Sequence, residues 1–197
     1  MAAGCPISVK QGATAVRRTR LQGLGDGEFG WVRLVDPAEE EIVQLAAELG
    51  LHPLAVEDAV QARQRPKRER FGDVLAVAPK TLWYVEEEAA VETGELMLFV
   101  GPRYVLTVRH GELDPAAEAA RRLEADPSVL RFGPLSVVHA VLDVVVDAYS
   151  EAAETVRAAL DQLEDRVFSS CRVDHTEDIY SLLPPQRLAL IIGSGRD

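Results

Sequence analysis

Leu49 to Lys80 read "LGLHPLAVEDAVQARQRPKRERFGDVLAVAPK". Gly50 is a natural helix terminator, and Pro53 suits the first position of a second short helix, expected to run to about Ala62. Two neighbouring carboxylates, Glu57 and Asp58, stand in the middle of that helix. Neighbours on a helix point about 100° apart, so the two do not readily chelate one ion together. One can face a partner surface while the other faces its own domain. Pro66 stops the helix, and five cations (Arg63, Arg65, Lys67, Arg68 and Arg70) crowd a stretch that reads as a basic loop. Two ordinary explanations stand beside a metal site. Short helices often carry surface carboxylates, and ion pairs with these cations contribute little when exposed.

Upstream, "FGWVRLVDP" predicts a strand that runs into a helix. Asp36 is the expected cap, Pro37 the first helical residue and Glu39 the partner in a capping box. Ile42, Leu45, Ala46 and Leu49 give that helix its apolar face. Downstream, "DVLAVAPKTLWYV", "GELMLFVG" and "RYVLTVRHG" predict three strands, joined by turns at "EEEAAVETG" and "GPR"; the last two suit a hairpin. Asp114-Pro115 starts a helix that stops before Asp126-Pro127, and Pro134 starts the longest element. This order predicts an α+β fold, an αβα layered domain with a central, mostly antiparallel sheet, followed by a long stalk-type helix. The expected divisions are a flexible N-terminal arm with at most one strand (1–27), the αβα domain (28–133), long helices starting the stalk (134–182) and an atypical tail (183–197).

The 197 residues carry 21 Lys and Arg against 32 Asp and Glu, a net charge of −11. That balance argues against nucleic acid as a partner and is compatible with one that is cationic. With 47% hydrophobic residues the chain is expected to fold. Cys5 and Cys171 are far apart and in no metal-ligand spacing, which suits a reducing cytoplasm. No signal peptide is expected, and "PLSVVHAVLDVVVDAY" is too short and too charged to span a membrane. No nucleophile elbow, Walker loop or H-x-x-x-H pair occurs, so no enzymatic activity is expected. His139 and Asp143, four apart on a helix, are a weak metal-binding signal by themselves.

In the long helix, Val138, Leu142, Val145, Tyr149, Ala152, Val156, Ala159 and Leu163 alternate steps of four and three. They form a heptad seam. Asp143, Asp147, Glu151, Glu154, Asp161 and Asp165 fall off it, giving one apolar stripe and one acidic face. The acidic face fits either a solvated surface or a surface for cations.

The opening stretch resembles the cytoplasmic domain of the CorA family of magnesium and cobalt channels. Its pattern L-G-[LI]-H-P-L-x-x-E-D, then Q-R-P-K-x-E-x-[FY], reads here "LGLHPLAVEDAVQARQRPKRERF". "ELMLFVGPRYVLTVRHGE" resembles the family's strand pair, and "VVHAVLDVVVDAYSEAAETVRAALDQLEDRVF" the start of its long helices. The resemblance runs from about Trp31 to Tyr180. It implies a pentameric funnel on the cytoplasmic face of the cell membrane, two C-terminal membrane helices and a Gly-Met-Asn pore motif. It also implies weak, regulatory Mg2+ binding between cytoplasmic domains, with Co2+ or Zn2+ as alternatives. Residue by residue, Asp58 falls on the interfacial metal ligand, Glu57 on its neighbour and Asp143 on a second acidic position, with Asp147 nearby on the same helix.

The departures are as informative. The rest of the stalk, both membrane helices and Gly-Met-Asn are missing, and so is the stalk carboxylate that would face Asp58 from the next subunit. "LPPQRLALIIGSGRD" carries Pro184-Pro185 where the family continues a helix. This chain alone is expected to be soluble and unable to conduct ions. The expected function is the cation-sensing, gating domain of a CorA-type transport protein. The alternatives are the domain of a related zinc transporter and a free-standing regulatory or binding domain. A metal-dependent hydrolase is a distant third.

Overall fold

The computed structural model describes residues 7–11, 24–25, 27–61, 65–85 and 90–168. Seven strands form one sheet: β1 (Ile7–Gln11), β2 (Phe29–Val35), β3 (Lys67–Phe71), β4 (Val74–Ala78), β5 (Lys80–Val85), β6 (Ala90–Val100) and β7 (Tyr104–His110). The order is β1-β2-β7-β6-β4-β3, with β5 pairing β6 off this path. The sheet is mixed. β1–β2 and β2–β7 are parallel, while β7–β6, β6–β4 and β4–β3 are antiparallel. The helices are α1 (Glu39–Leu49), α2 (Pro53–Gln61), α3 (Pro115–Ala125) and α4 (Pro134–Phe168), with a 3-10 turn at Pro127–Phe132.

Alternation along the strands decides which residues meet which layer. Val32, Leu34, Leu106 and Val108 lie in one buried cluster with Ile42 and Leu45 of α1 and Ala55 and Ala59 of α2. Trp31, Val105 and Thr107, one residue out of phase, are also buried, as are Ala119 and Leu123 of α3 and Val137 and Val141 of α4. Helical layers on both faces give the αβα architecture.

The chain divides into two compact units. The first comprises Met1–Thr81 with Gly94–Val145, and the second Leu82–Thr93 with Val146–Asp197. The first holds β1 to β4, β7, the start of β5, the end of β6, α1 to α3 and the start of α4. The second holds the end of β5 from Leu82, the start of β6 up to Thr93 and the rest of α4. The tail, 183–197, lies outside the described residues.

Several local expectations need correction. The basic segment expected to be a loop is strand β3, paired with β4 from Lys67↔Ala78 to Phe71↔Val74. It lacks an apolar pattern because it is an edge strand, where charge discourages pairing with further chains. "DVLAVAPKTLWYV" is two strands, since Pro79 has no N–H and stands between β4 and β5. β6 starts at Ala90, inside the stretch assigned to a turn. Helix α1 starts at Glu39 with Ala38 at the cap position, and Glu41, not Glu39, accepts from the Ala38 N–H at 3.3 Å. Asp36 takes a left-handed φ of 43°. Its carboxylate is engaged across the sheet instead, by the Arg109 guanidinium and the Gly111 N–H, each at 3.2 Å. The Gly50 terminator is as expected, at φ 66°. So are the Asp114 cap, whose side chain accepts from the Ala117 N–H, and the start of α4 at Pro134.

Candidate metal site

Helix α2 carries Glu57 and Asp58 because Ala55 and Ala59 turn its small face to the core. Asp58 lies beside that face and is partly enclosed. Its Oδ2 accepts from Lys67 Nζ at 2.7 Å, with 18% of the Asp58 side chain and 28% of the Lys67 side chain exposed. Lys67 is also 3.1 Å from Glu69 Oε2. The Asp58 hydrogen bond is the largest cause of a raised Lys67 pKa; partial burial opposes it, and Glu69 adds to it. Strand β3 thus delivers one ammonium between two carboxylates. Glu57 points elsewhere, accepting from Gln61 Nε2 at 2.9 Å one helical turn on.

Asp58 also borders a pocket of about 20 Å³, room for roughly one water molecule. Lys80, Glu95 and His110 also line it. Lys80 and Glu95 are ion-paired across the pocket wall. His110 lies opposite Glu95 in the β6–β7 register, and its enclosed Nε2 has no partner among the described residues. Sequence reasoning missed Lys80, Glu95 and His110. Only strand pairing could have signalled them, since they come from three different strands.

Asp143 is on the exposed face of α4, where Arg122 Nη1 of α3 donates to its Oδ2 at 2.9 Å. Asp147 lies one turn further along the same exposed face and also has an interaction partner. His139 is exposed on the preceding turn. Among the described residues, no three His, Cys, Asp or Glu side chains come together as a metal-binding group. Asp58 and Asp143 therefore each hold a cation of their own chain, and neither sits in a complete coordination shell. The donors they offer are hard carboxylate oxygens, which suit Mg2+ better than they suit Zn2+.

The sequence profile of the CorA-like Mg2+ transporter proteins matches residues 26–187. Over 140 residues the chain is 31% identical to a putative metal ion transporter of Bacillus subtilis, covering 68% of this chain and 41% of that one. It is 24% identical to the cobalt/magnesium transport protein CorA of Thermotoga maritima, covering 70% and 40%. The chain thus spans about two fifths of the length of these relatives. The fold matches the soluble domain of CorA from Methanocaldococcus jannaschii with a TM-score of 0.62 at 20% identity, covering 77% of this chain and 60% of that one. The ZntB cytoplasmic domain from Vibrio parahaemolyticus shares the fold at a TM-score of 0.54 and 10% identity, covering 68% and 54%. No helix among the described residues is long and apolar enough to cross a membrane.

Proposed function

Because the chain belongs to the family of CorA-like Mg2+ transporter proteins, we propose that it is the cytoplasmic, divalent-cation-sensing part of such a transporter. In this reading Asp58 is the principal ligand, Glu57 lies beside it, and Asp143 and Asp147 serve a second ion. The membrane part lies in C-terminal helices, and the assembly is a homo-oligomer, a pentamer in the intact protein. The observation that carries the reading is the state of Asp58, a partly enclosed carboxylate held by one ammonium, in no three-ligand group among the described residues.

The physics is an exchange of counter-ions. Bringing acidic faces of two copies together costs roughly 4 kcal/mol per like-charge pair at 4 Å and an effective dielectric near 20. A divalent cation between them reverses the sign of that interaction. Mg2+ keeps much of its water and often takes only one or two carboxylates, so an incomplete site within one chain is sufficient. Lys67 competes for the same oxygen and has Glu69 to move to. The competition keeps the affinity low, as a sensor that empties when cytosolic Mg2+ falls requires. The carboxylate donors favour Mg2+ over the zinc alternative.

Calorimetric titration of the chain with Mg2+ tests the assignment. We expect weak binding heat that Asp58→Asn reduces, leaving the share of the second ion. Unchanged heat in the variant overturns the role of Asp58.

A further inference from the structure

On the face of the sheet away from α1 and α2, near the C-terminal ends of the adjacent parallel strands β2 and β7, two arginines are buried. Arg33 and Arg109 are each only 8% exposed. They share a face because Trp31 Nε1 donates to Thr107 Oγ1 at 3.3 Å across that face, and each arginine lies two residues further along its strand. The register places Arg33 opposite Thr107 and Arg109 opposite Val35, so the two arginines are diagonal neighbours.

Their charges are not balanced. Arg109 donates through Nη2 to Asp36, while its Nε and Nη1 are enclosed without partners. Arg33 has no ion pair or hydrogen bond among the described residues. Its Nε is enclosed without a partner, and its guanidinium carbon stands 5.8 Å from the centre of the Trp31 ring. The two Nη atoms of Arg33, equally unbonded, are not sealed in and retain contact with solvent. Two guanidinium ions against one Asp36 carboxylate leave an excess of one positive charge. A buried, unpaired charge is strongly destabilising unless a counter-ion completes it. A guanidinium fork fits two oxygens of one oxyanion, and ligands commonly sit at the carboxyl ends of parallel strands.

We propose that the Arg33 fork, backed by Trp31 and flanked by Arg109, is a binding site for a small oxyanion, a phosphate or a carboxylate. The site is separate from the Asp58 region and does not depend on its role.

Thermal unfolding of the full chain in EDTA tests this, with potassium phosphate, potassium acetate and potassium chloride at matched ionic strength. We expect phosphate or acetate to raise Tm by roughly 3 °C over chloride near saturation. The larger response identifies the oxyanion class. Arg33→Met, which keeps the aliphatic stem, should abolish the response and in chloride should melt no lower than the unsubstituted chain. Arg33→Lys, which keeps the charge but loses the fork, should lose most of the response. Line broadening of the phosphorus resonance of inorganic phosphate by the unsubstituted chain, absent with Arg33→Met, reports the same site without unfolding. No response to either oxyanion overturns the proposal, as does an equal response in Arg33→Met. A lower Tm of Arg33→Met in chloride also overturns it, since Arg33 would then already be compensated.

Discussion

Lys67 and Asp58 are nine residues apart, and the helix end and strand start between them bring the ammonium to 2.7 Å from the carboxylate. Five cations stand near the acidic pair in sequence, and strand pairing brings Lys67 to Asp58 of α2. If Lys67 competes with a divalent ion, Lys67→Met should tighten Mg2+ binding. A partly exposed pair contributes up to about 1 kcal/mol, which sets the expected gain at roughly fivefold. Calorimetry on the variant decides it, and weaker binding would place Lys67 on the side of the site's architecture. A second residue-scale expectation concerns acid. Hydrogen bonds from Arg121 and then Arg122 lower the Glu118 pKa from 4.5 to about 2. Between those values the unfolded chain binds a proton that the folded chain does not, so the contribution of Glu118 is present above pH 4.5 and fades towards pH 2. Glu118→Gln should reduce the acid dependence of the denaturant midpoint in that window. The effect should be small, because solvent screens the pair. Curves of identical slope would contradict it.

Elements were legible where local chemistry alone sets them. Gly50, Asp114-Pro115 and Pro134 mark helix ends by backbone geometry and capping, and the structure uses all of them. Legibility failed where a partner far along the chain decides. Nothing within "KRERF" announces a strand, since its order comes from β4. Asp36 has every local qualification for a helix cap, but Arg109 and Gly111, more than seventy residues away, claim its carboxylate. The same limit applies to the surroundings of Asp58. The motif singles out the carboxylate, whereas Lys80, Glu95 and His110 reach the adjoining pocket only through strand pairing. The β6–β7 turn offers a direct test of element packing. A Cβ on Gly101 would run into the Tyr104 ring, which sits at the start of β7. Gly101→Ala should cost about 1–3 kcal/mol, as overpacking does. Adding Tyr104→Ala should recover part of that loss in the Gly101→Ala background. A Gly101→Ala chain as stable as its parent in urea would show that the ring moves freely.

Across the whole molecule, the spacing of α4 was the most reliable long-range signal. All eight seam residues from Val138 to Leu163 are buried or half-buried, and the six acids off the seam are exposed. A helix repeats its faces through regular geometry alone, so this division needed no knowledge of what packs where. The exposed acids, with a net charge of −11, oppose self-association electrostatically, and on the proposed function bound cations relieve that repulsion. The decisive measurement is sedimentation velocity of the chain in EDTA and in millimolar Mg2+, beside Asp58→Asn. Small species are expected in EDTA, larger ones in Mg2+, and no Mg2+ response in the variant. An oligomer that persists unchanged in EDTA, or a response to Mg2+ that survives Asp58→Asn, would contradict the proposed function.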